Sequence, residues 1–217
     1  MTDKLACKAI IFDFDGTLAD SMPFLEAIGV QVMMKYYGVS KDDAATRYKS
    51  TTGLPYEHQI KLNFPGRSQN EEAIEEFERM KIERIYNQEM SNGAEDMLSE
   101  LRSTGFSMFV SSSTFEPTIT EYFRRAGLLD FFVEILGYRP GFEKGGHHFK
   151  HVEKKHHLSL DDVIFVGDSI KDYERAEGYC RFVALEGMFK EPDFRKAGHN
   201  GHVIQSLSEM PSIVRLL

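Results

Sequence analysis

The chain has 217 residues, 41% of them hydrophobic, enough for one sizeable core with room for an inserted subdomain. Its formal net charge of -8 argues against nucleic acid as the main partner, although local basic clusters could still hold an anionic small molecule. Cys7 and Cys180 form neither a disulfide scaffold nor a metal spacing, no apolar run is long enough to cross a bilayer, and the start does not read as a signal peptide, so a cytoplasmic protein without a membrane partner is expected.

The run Ile10-Ile11-Phe12 is apolar and β-branched or aromatic, which predicts a buried strand. It ends in Asp13-Phe14-Asp15-Gly16-Thr17-Leu18. Residues two apart on a strand point the same way, so Asp13 and Asp15 can face one spot at its end. Two carboxylates placed together beside apolar residues are costly unless a cation or a shared proton compensates them. Pro23 then opens a helix with Leu25, Ile28, Val32 and Tyr36 at helical spacing up to Gly38. Further helices are predicted from Ser40 toward Thr52-Gly53, after Pro55, and from Asn70 to about Met90, with no convincing strand between residues 20 and 91.

From residue 92 the pattern changes. A helix from Ala94 to Ser103 precedes the predicted strand Phe106–Val110, and the serines 111–113 lead into a helix ending at Gly127. An apolar run from Phe131 to Leu136, a Gly-rich loop and a helix around His148–His156 follow. Val163–Val166 is the cleanest late strand, succeeded by Gly167-Asp168-Ser169 and a helix ending at Gly178. Phe182–Leu185 is another strand, and Val203-Ile204 a short last one. Alternating strands and helices predict the α/β class, a Rossmann-like parallel sheet built from residues 1–19 and 92–217, with an all-helical insertion over 20–91.

Ligands of such sheets sit at the carboxyl ends of the strands. Asp13 and Asp15 stand after the first predicted strand, Ser111 after the second, Lys144 after the third, and Asp168 and Asp172 after the fourth. Two acid pairs, a hydroxyl and an ammonium suit a phosphoryl group and Mg²⁺, which prefers carboxylate, water and phosphate oxygens. A helix start beside Ser111 would add backbone N–H donors for phosphate.

Asp13-Phe14-Asp15-Gly16-Thr17-Leu18 resembles the first motif of the haloacid dehalogenase-like superfamily, most of whose members are magnesium-dependent phosphatases. Phe109-Val110-Ser111-Ser112 is similar to the second motif, Lys144 to the third, and Gly167-Asp168-Ser169-Ile170-Lys171-Asp172 to the fourth. Arg139, Lys150, Lys154 and Lys155 are rivals for the third. The resemblance implies that Asp13 is the nucleophile and forms an aspartyl-phosphate, and that Asp15 is general acid and then general base. It implies Mg²⁺ held by the Asp13 carboxylate, the Asp15 backbone carbonyl and Asp168, with Asp172 orienting Lys144 or a metal-bound water. Residues 20–91 would be a helical cap that selects the leaving group. Ser111, Ser112 and Gly16, with Arg47 from the cap, complete the expected substrate-binding set. An aspartate at position 15 points to alcohol departure from a small phosphorylated metabolite rather than to halide departure. A phosphomutase resembling β-phosphoglucomutase and a phosphoryl-accepting signalling module are the alternatives.

Several features have plainer explanations. Histidines 147, 148, 151, 156 and 157 lack a second ligand pair, so a solvated helix is expected rather than a metal site. Asp161-Asp162 precedes its strand and reads as a turn, Ser169 as a helix cap, and Met33, Met34 and Met80 as core filler.

Overall fold

In the computed structural model, which describes residues 4–217, the chain divides into two compact units. One comprises residues up to Asp20 together with Met90–Leu217, the other Ser21–Glu89.

Among the described residues the first unit holds eight strands: β1 (Leu5–Cys7), β2 (Ala9–Phe12), β3 (Ser107–Phe115), β4 (Glu134–Tyr138), β5 (Val163–Gly167), β6 (Arg181–Leu185), β7 (Val203–Ile204) and β8 (Val214–Leu216). Six of them form one sheet in the order β4-β3-β2-β5-β6-β7, every neighbour parallel. β2 is buried at all of its positions, as strands covered on both faces are. The α/β class and parallel sheet expected from the alternating pattern are thus present. The pair β1 and β8 was not legible: three residues each, too short to show a period, they form a separate parallel ribbon. Cys7 is the last residue of β1.

One core cluster joins Ile11, Phe109 and Phe165 of the sheet to Phe149, Val152, Ala176 and Phe194 of flanking helices. Fully burying side chains of this size stabilises by about 1.5–3 kcal/mol each, an upper estimate. In chain order the helices of both units are α1 (Met22–Tyr37), α2 (Lys41–Thr51), α3 (Tyr56–Asn63), α4 (Asn70–Ile85), α5 (Ala94–Thr104), α6 (Glu116–Ala126), α7 (Gly146–His156), α8 (Ile170–Ala176), α9 (Glu191–Lys196) and α10 (Met210–Ile213). No helix among the described residues is long and apolar enough to cross a membrane.

The Ser21–Glu89 unit consists of α1 to α4 around its own core of Leu25, Ile28, Val32, Met33, Tyr48, Tyr56, Ile60 and Phe77. Tyr56 stacks on Phe77 with ring centroids 3.6 Å apart, and its hydroxyl donates to the Gly29 carbonyl at 3.2 Å. Met33 and Met80 are core residues, but Met34 is 40% exposed: it sits one step around α1 from Met33, on the outer face. α4 ends at Ile85, short of the expected Met90, since the segment beyond it loses its apolar period.

Candidate active site

Strand register sets the height of the functional groups. Phe12 lies opposite Val110 of β3 on one side and Val166 of β5 on the other. The next residues, Asp13, Ser111 and Gly167, are therefore level at the carboxyl end of the three middle strands. The Asp13 N–H donates to the Val166 carbonyl at 2.8 Å, and Asp13 Oδ1 accepts from the Phe14 N–H at 2.6 Å. The turn that follows needs a left-handed residue, and Gly16, with φ of 77°, supplies it without a Cβ clash.

Lys144, in the loop between β4 and α7, extends a buried ammonium to Asp13 Oδ2 at 2.8 Å and Asp172 Oδ1 at 2.5 Å. Three of its four rivals are engaged elsewhere: Arg139 with Glu116, Lys155 with Glu134, and Lys150 over the Tyr179 ring. Asp172 is fixed by a capping box at the start of α8. Ser169 Oγ accepts the Asp172 N–H at 3.1 Å and donates to Asp172 Oδ2 at 2.7 Å. Gly167 is required by close approach, since a Cβ there would lie 2.7 Å from Asp172 Cβ.

Carboxylate oxygens of Asp13, Asp168 and Asp172 lie within 4.8 Å of one another, all buried. Asp168 Oδ2 has no hydrogen-bond partner among the described residues. Burial pushes the Asp13 carboxyl up to about 7 against the pull of Lys144, and the Asp172 charge adds to the rise. Burial, then Asp13 and Asp172, drive Asp168 well above the usual carboxylate range. Burial disfavours the Lys144 ammonium too, but Asp13 and Asp172 outweigh it and hold its pKa above the ordinary lysine value. One ammonium thus faces three buried carboxylates. The site is short of positive charge, its donors are hard oxygens, and one oxygen lacks a partner, a combination that fits Mg²⁺.

The Asp15 carboxylate is not in this group. Its Oδ2 accepts a hydrogen bond from the Thr114 hydroxyl, which leaves the backbone as the part of Asp15 that the resemblance offers to a metal. Ser111 is fully buried, its Oγ 2.9 Å from His148 Nδ1, and Ser112 Oγ accepts the Thr114 N–H at 3.0 Å. The helix start expected beside Ser111 is displaced. β3 continues through a register shift to Phe115, and α6 begins only at Glu116. A run of serines and a threonine has no apolar pattern to mark this extension.

Residues 10–183 match the family described as haloacid dehalogenase-like hydrolase. The chain belongs to this family. Among relatives of this haloacid dehalogenase-like hydrolase, a phosphoglycolate phosphatase of Vibrio parahaemolyticus is 24% identical over 218 residues, covering 95% of this chain and 96% of the relative. One of Nitrosospira multiformis is 26% identical over 182 residues, 79% of each chain. A solved haloacid dehalogenase-like family hydrolase from Streptococcus pneumoniae superposes with a TM-score of 0.79 at 22% identity, covering 98% of this chain and 99% of that one.

In this haloacid dehalogenase-like hydrolase, Arg47 is held inside the helical unit. Its Nε pairs with Asp43 at 2.9 Å, one terminal nitrogen donates to the Asn63 carbonyl at 3.3 Å, and the guanidinium lies over the Phe64 ring. With Tyr37 and Arg67 it lines a cavity of about 640 Å³ in that unit. His148 is not the solvated residue expected of it: it is fully buried, and burial, helped by the Lys144 charge, lowers its pKa to about 3. The signal was available, because His148 shares a helix face with Phe149 and Val152. His151 and His156 instead bond Glu134 at 3.0 and 2.7 Å. Thr114 had no signal, since its approach to Asp15 depends on the β3 extension.

Proposed function

We propose that this hydrolase is a Mg²⁺-dependent phosphatase that releases phosphate from a small phosphorylated metabolite through an aspartyl-phosphate on Asp13. The observation that carries this reading is the Lys144 ammonium between Asp13 and Asp172, beside the unpartnered Asp168 oxygen. Asp13, Asp168 and the Asp15 backbone carbonyl would hold Mg²⁺. When bound, the ion supplies positive charge that offsets repulsion between carboxylate and phosphate.

Lys144 and the Phe14 N–H fix the Asp13 carboxylate, which attacks phosphorus as the bond to the leaving oxygen breaks. Asp15 delivers its proton to that oxygen, so an alcohol departs. Asp15 then takes a proton from water as the water oxygen attacks phosphorus. The bond to Asp13 breaks, phosphate leaves, and Asp15 is protonated again. Ser111 and Ser112 would hold phosphoryl oxygens, with Gly16 shaping the turn beside Asp13. The helical unit, inserted between the first strand-end motif and the rest of the core, is our assignment for leaving-group selection, with Arg47 as its candidate contact. The free thiols of Cys7 and Cys180 suit the cytoplasm.

The relatives' name makes 2-phosphoglycolate the first substrate to test. Purified protein should release phosphate from it, or from another member of a phosphomonoester panel, with Mg²⁺ and not with EDTA, and Asp13→Asn should abolish release. No release from the panel would refute the phosphatase reading. Bisphosphate-dependent interconversion of hexose phosphates would favour the mutase, and a long-lived phosphoprotein the signalling module.

A further inference from the structure

We infer that Thr114 is the positioning residue for Asp15, setting the carboxyl group that protonates the leaving oxygen; this rests on the phosphatase reading above. The Thr114 hydroxyl donates to Asp15 Oδ2 across 99 positions of sequence, and Thr114 is 4% exposed. Three local features bring it there. β3 runs past Ser111, its pairing with β4 shifts register between Ser111 and Phe115, and Ser112 Oγ holds the Thr114 N–H at 3.0 Å. A register shift in a strand re-aims the side chains around it, and such irregularities recur beside active sites.

The bond distinguishes the two oxygens of Asp15. Oδ2 accepts the Thr114 hydroxyl proton, and a bond to one oxygen fixes the orientation in which the carboxyl group gives up a proton and recovers one from water. A carboxyl group free to rotate would present either oxygen and spend much of its time misaligned. Proton transfer requires the donor within hydrogen-bond reach of the departing oxygen, and small misplacements are expensive. Thr114 need not touch the substrate to have this effect.

The contribution depends on the leaving group. An alkoxide leaves poorly unless it is protonated as the bond breaks, whereas 4-nitrophenolate leaves without a proton. Loss of the Thr114 hydroxyl should therefore lower kcat/KM for alkyl phosphates and hardly change it for 4-nitrophenyl phosphate, because kcat/KM ends at formation of the aspartyl-phosphate and excludes the water step that both esters share. A general packing defect would lower both together.

The test compares wild type, Thr114→Val and Thr114→Ser with Mg²⁺ on an alkyl phosphomonoester taken from the active panel and on 4-nitrophenyl phosphate. Valine keeps the branched shape that suits a strand and removes the hydroxyl; serine keeps the hydroxyl. Thr114→Val should lose about 10- to 100-fold in kcat/KM on the alkyl ester. It should stay within about 3-fold of wild type on the nitrophenyl ester, because the acid's share of catalysis is absent there. Thr114→Ser should recover most of the alkyl activity. Equal losses on both esters, no loss on either, or a serine variant as impaired as valine would overturn the role of Thr114 while leaving the phosphatase reading intact. A wild type inactive on both esters would overturn that reading and this one with it.

Discussion

The ammonium of Lys144 reaches Asp13 Oδ2 at 2.8 Å, although 131 positions of sequence separate the two residues and both are buried. It bonds Asp172 at the same time, so a single cation ties the end of β2 to the start of α8. Removing one member of a buried charge group is far more damaging than removing a surface pair, because the remaining charges stay desolvated. Lys144→Met should destabilise the Mg²⁺-free protein by about 3 kcal/mol or more at pH 8. Denaturant unfolding measures this, and a change under about 1 kcal/mol would show that the pair acts like a surface pair.

Asp168 predicts opposite signs with and without metal. Its carboxyl, raised by burial and by the Asp13 and Asp172 charges, is held in an environment that disfavours its ionised form. Asp168→Asn should therefore melt at or above the wild-type temperature in EDTA. Mg²⁺ at about 100 times its Kd should add about 2.7 kcal/mol to the wild type, and much less to the variant. Thermal melts in both buffers read the crossing; parallel behaviour would remove Asp168 from the metal site.

Gly167→Ala would place a Cβ 2.7 Å from Asp172 Cβ and 2.8 Å from its Cγ. Either β5 or α8 must shift, at a cost of about 1–3 kcal/mol. The expected outcome is a folded, less stable protein with activity reduced at least about tenfold, because Asp172 and Lys144 move together. Unchanged activity would show that the Asp172 position is not critical.

His148 gives a pH dependence with a definite sign. Its imidazole takes up a proton only at about pH 3 in the folded protein, through burial and the nearby Lys144 charge, against about 6.5 when unfolded. Between those values the unfolded state binds one more proton, so this residue makes stability fall as pH falls from about 6.5 toward 3, by at most about 1.4 kcal/mol per unit. His148→Asn, which can still reach Ser111, should flatten the stability–pH slope by about one proton between pH 6 and 4. Urea titrations across that range measure it, and an unchanged slope would place the imidazole in solvent.

How much of this was legible follows from how local each signal is. β2, β5 and β6 announced themselves because each is a continuous apolar run closed by turn residues. Asp13, Lys144, Asp168 and Asp172 could be singled out because charged groups at strand ends have few other reasons to recur. β1 and β8 could not, since three residues show no period and their pairing spans nearly the whole chain. The extension of β3 was hidden by its polar composition, and with it the bond from Thr114 to Asp15. His148 was misjudged for a different reason: four other histidines nearby suggested a solvated face, while its own neighbours Phe149 and Val152 marked the buried one.

The central claim is that phosphorus passes through the Asp13 carboxylate. Acid-quenching the enzyme during turnover with Mg²⁺ and an active phosphomonoester, then reducing with borohydride, converts an acyl phosphate of aspartate to homoserine. Peptide mass spectrometry should find homoserine at position 13, dependent on substrate and Mg²⁺. Modification at another residue, or phosphate release with position 13 unmodified at every quench time, would contradict the account.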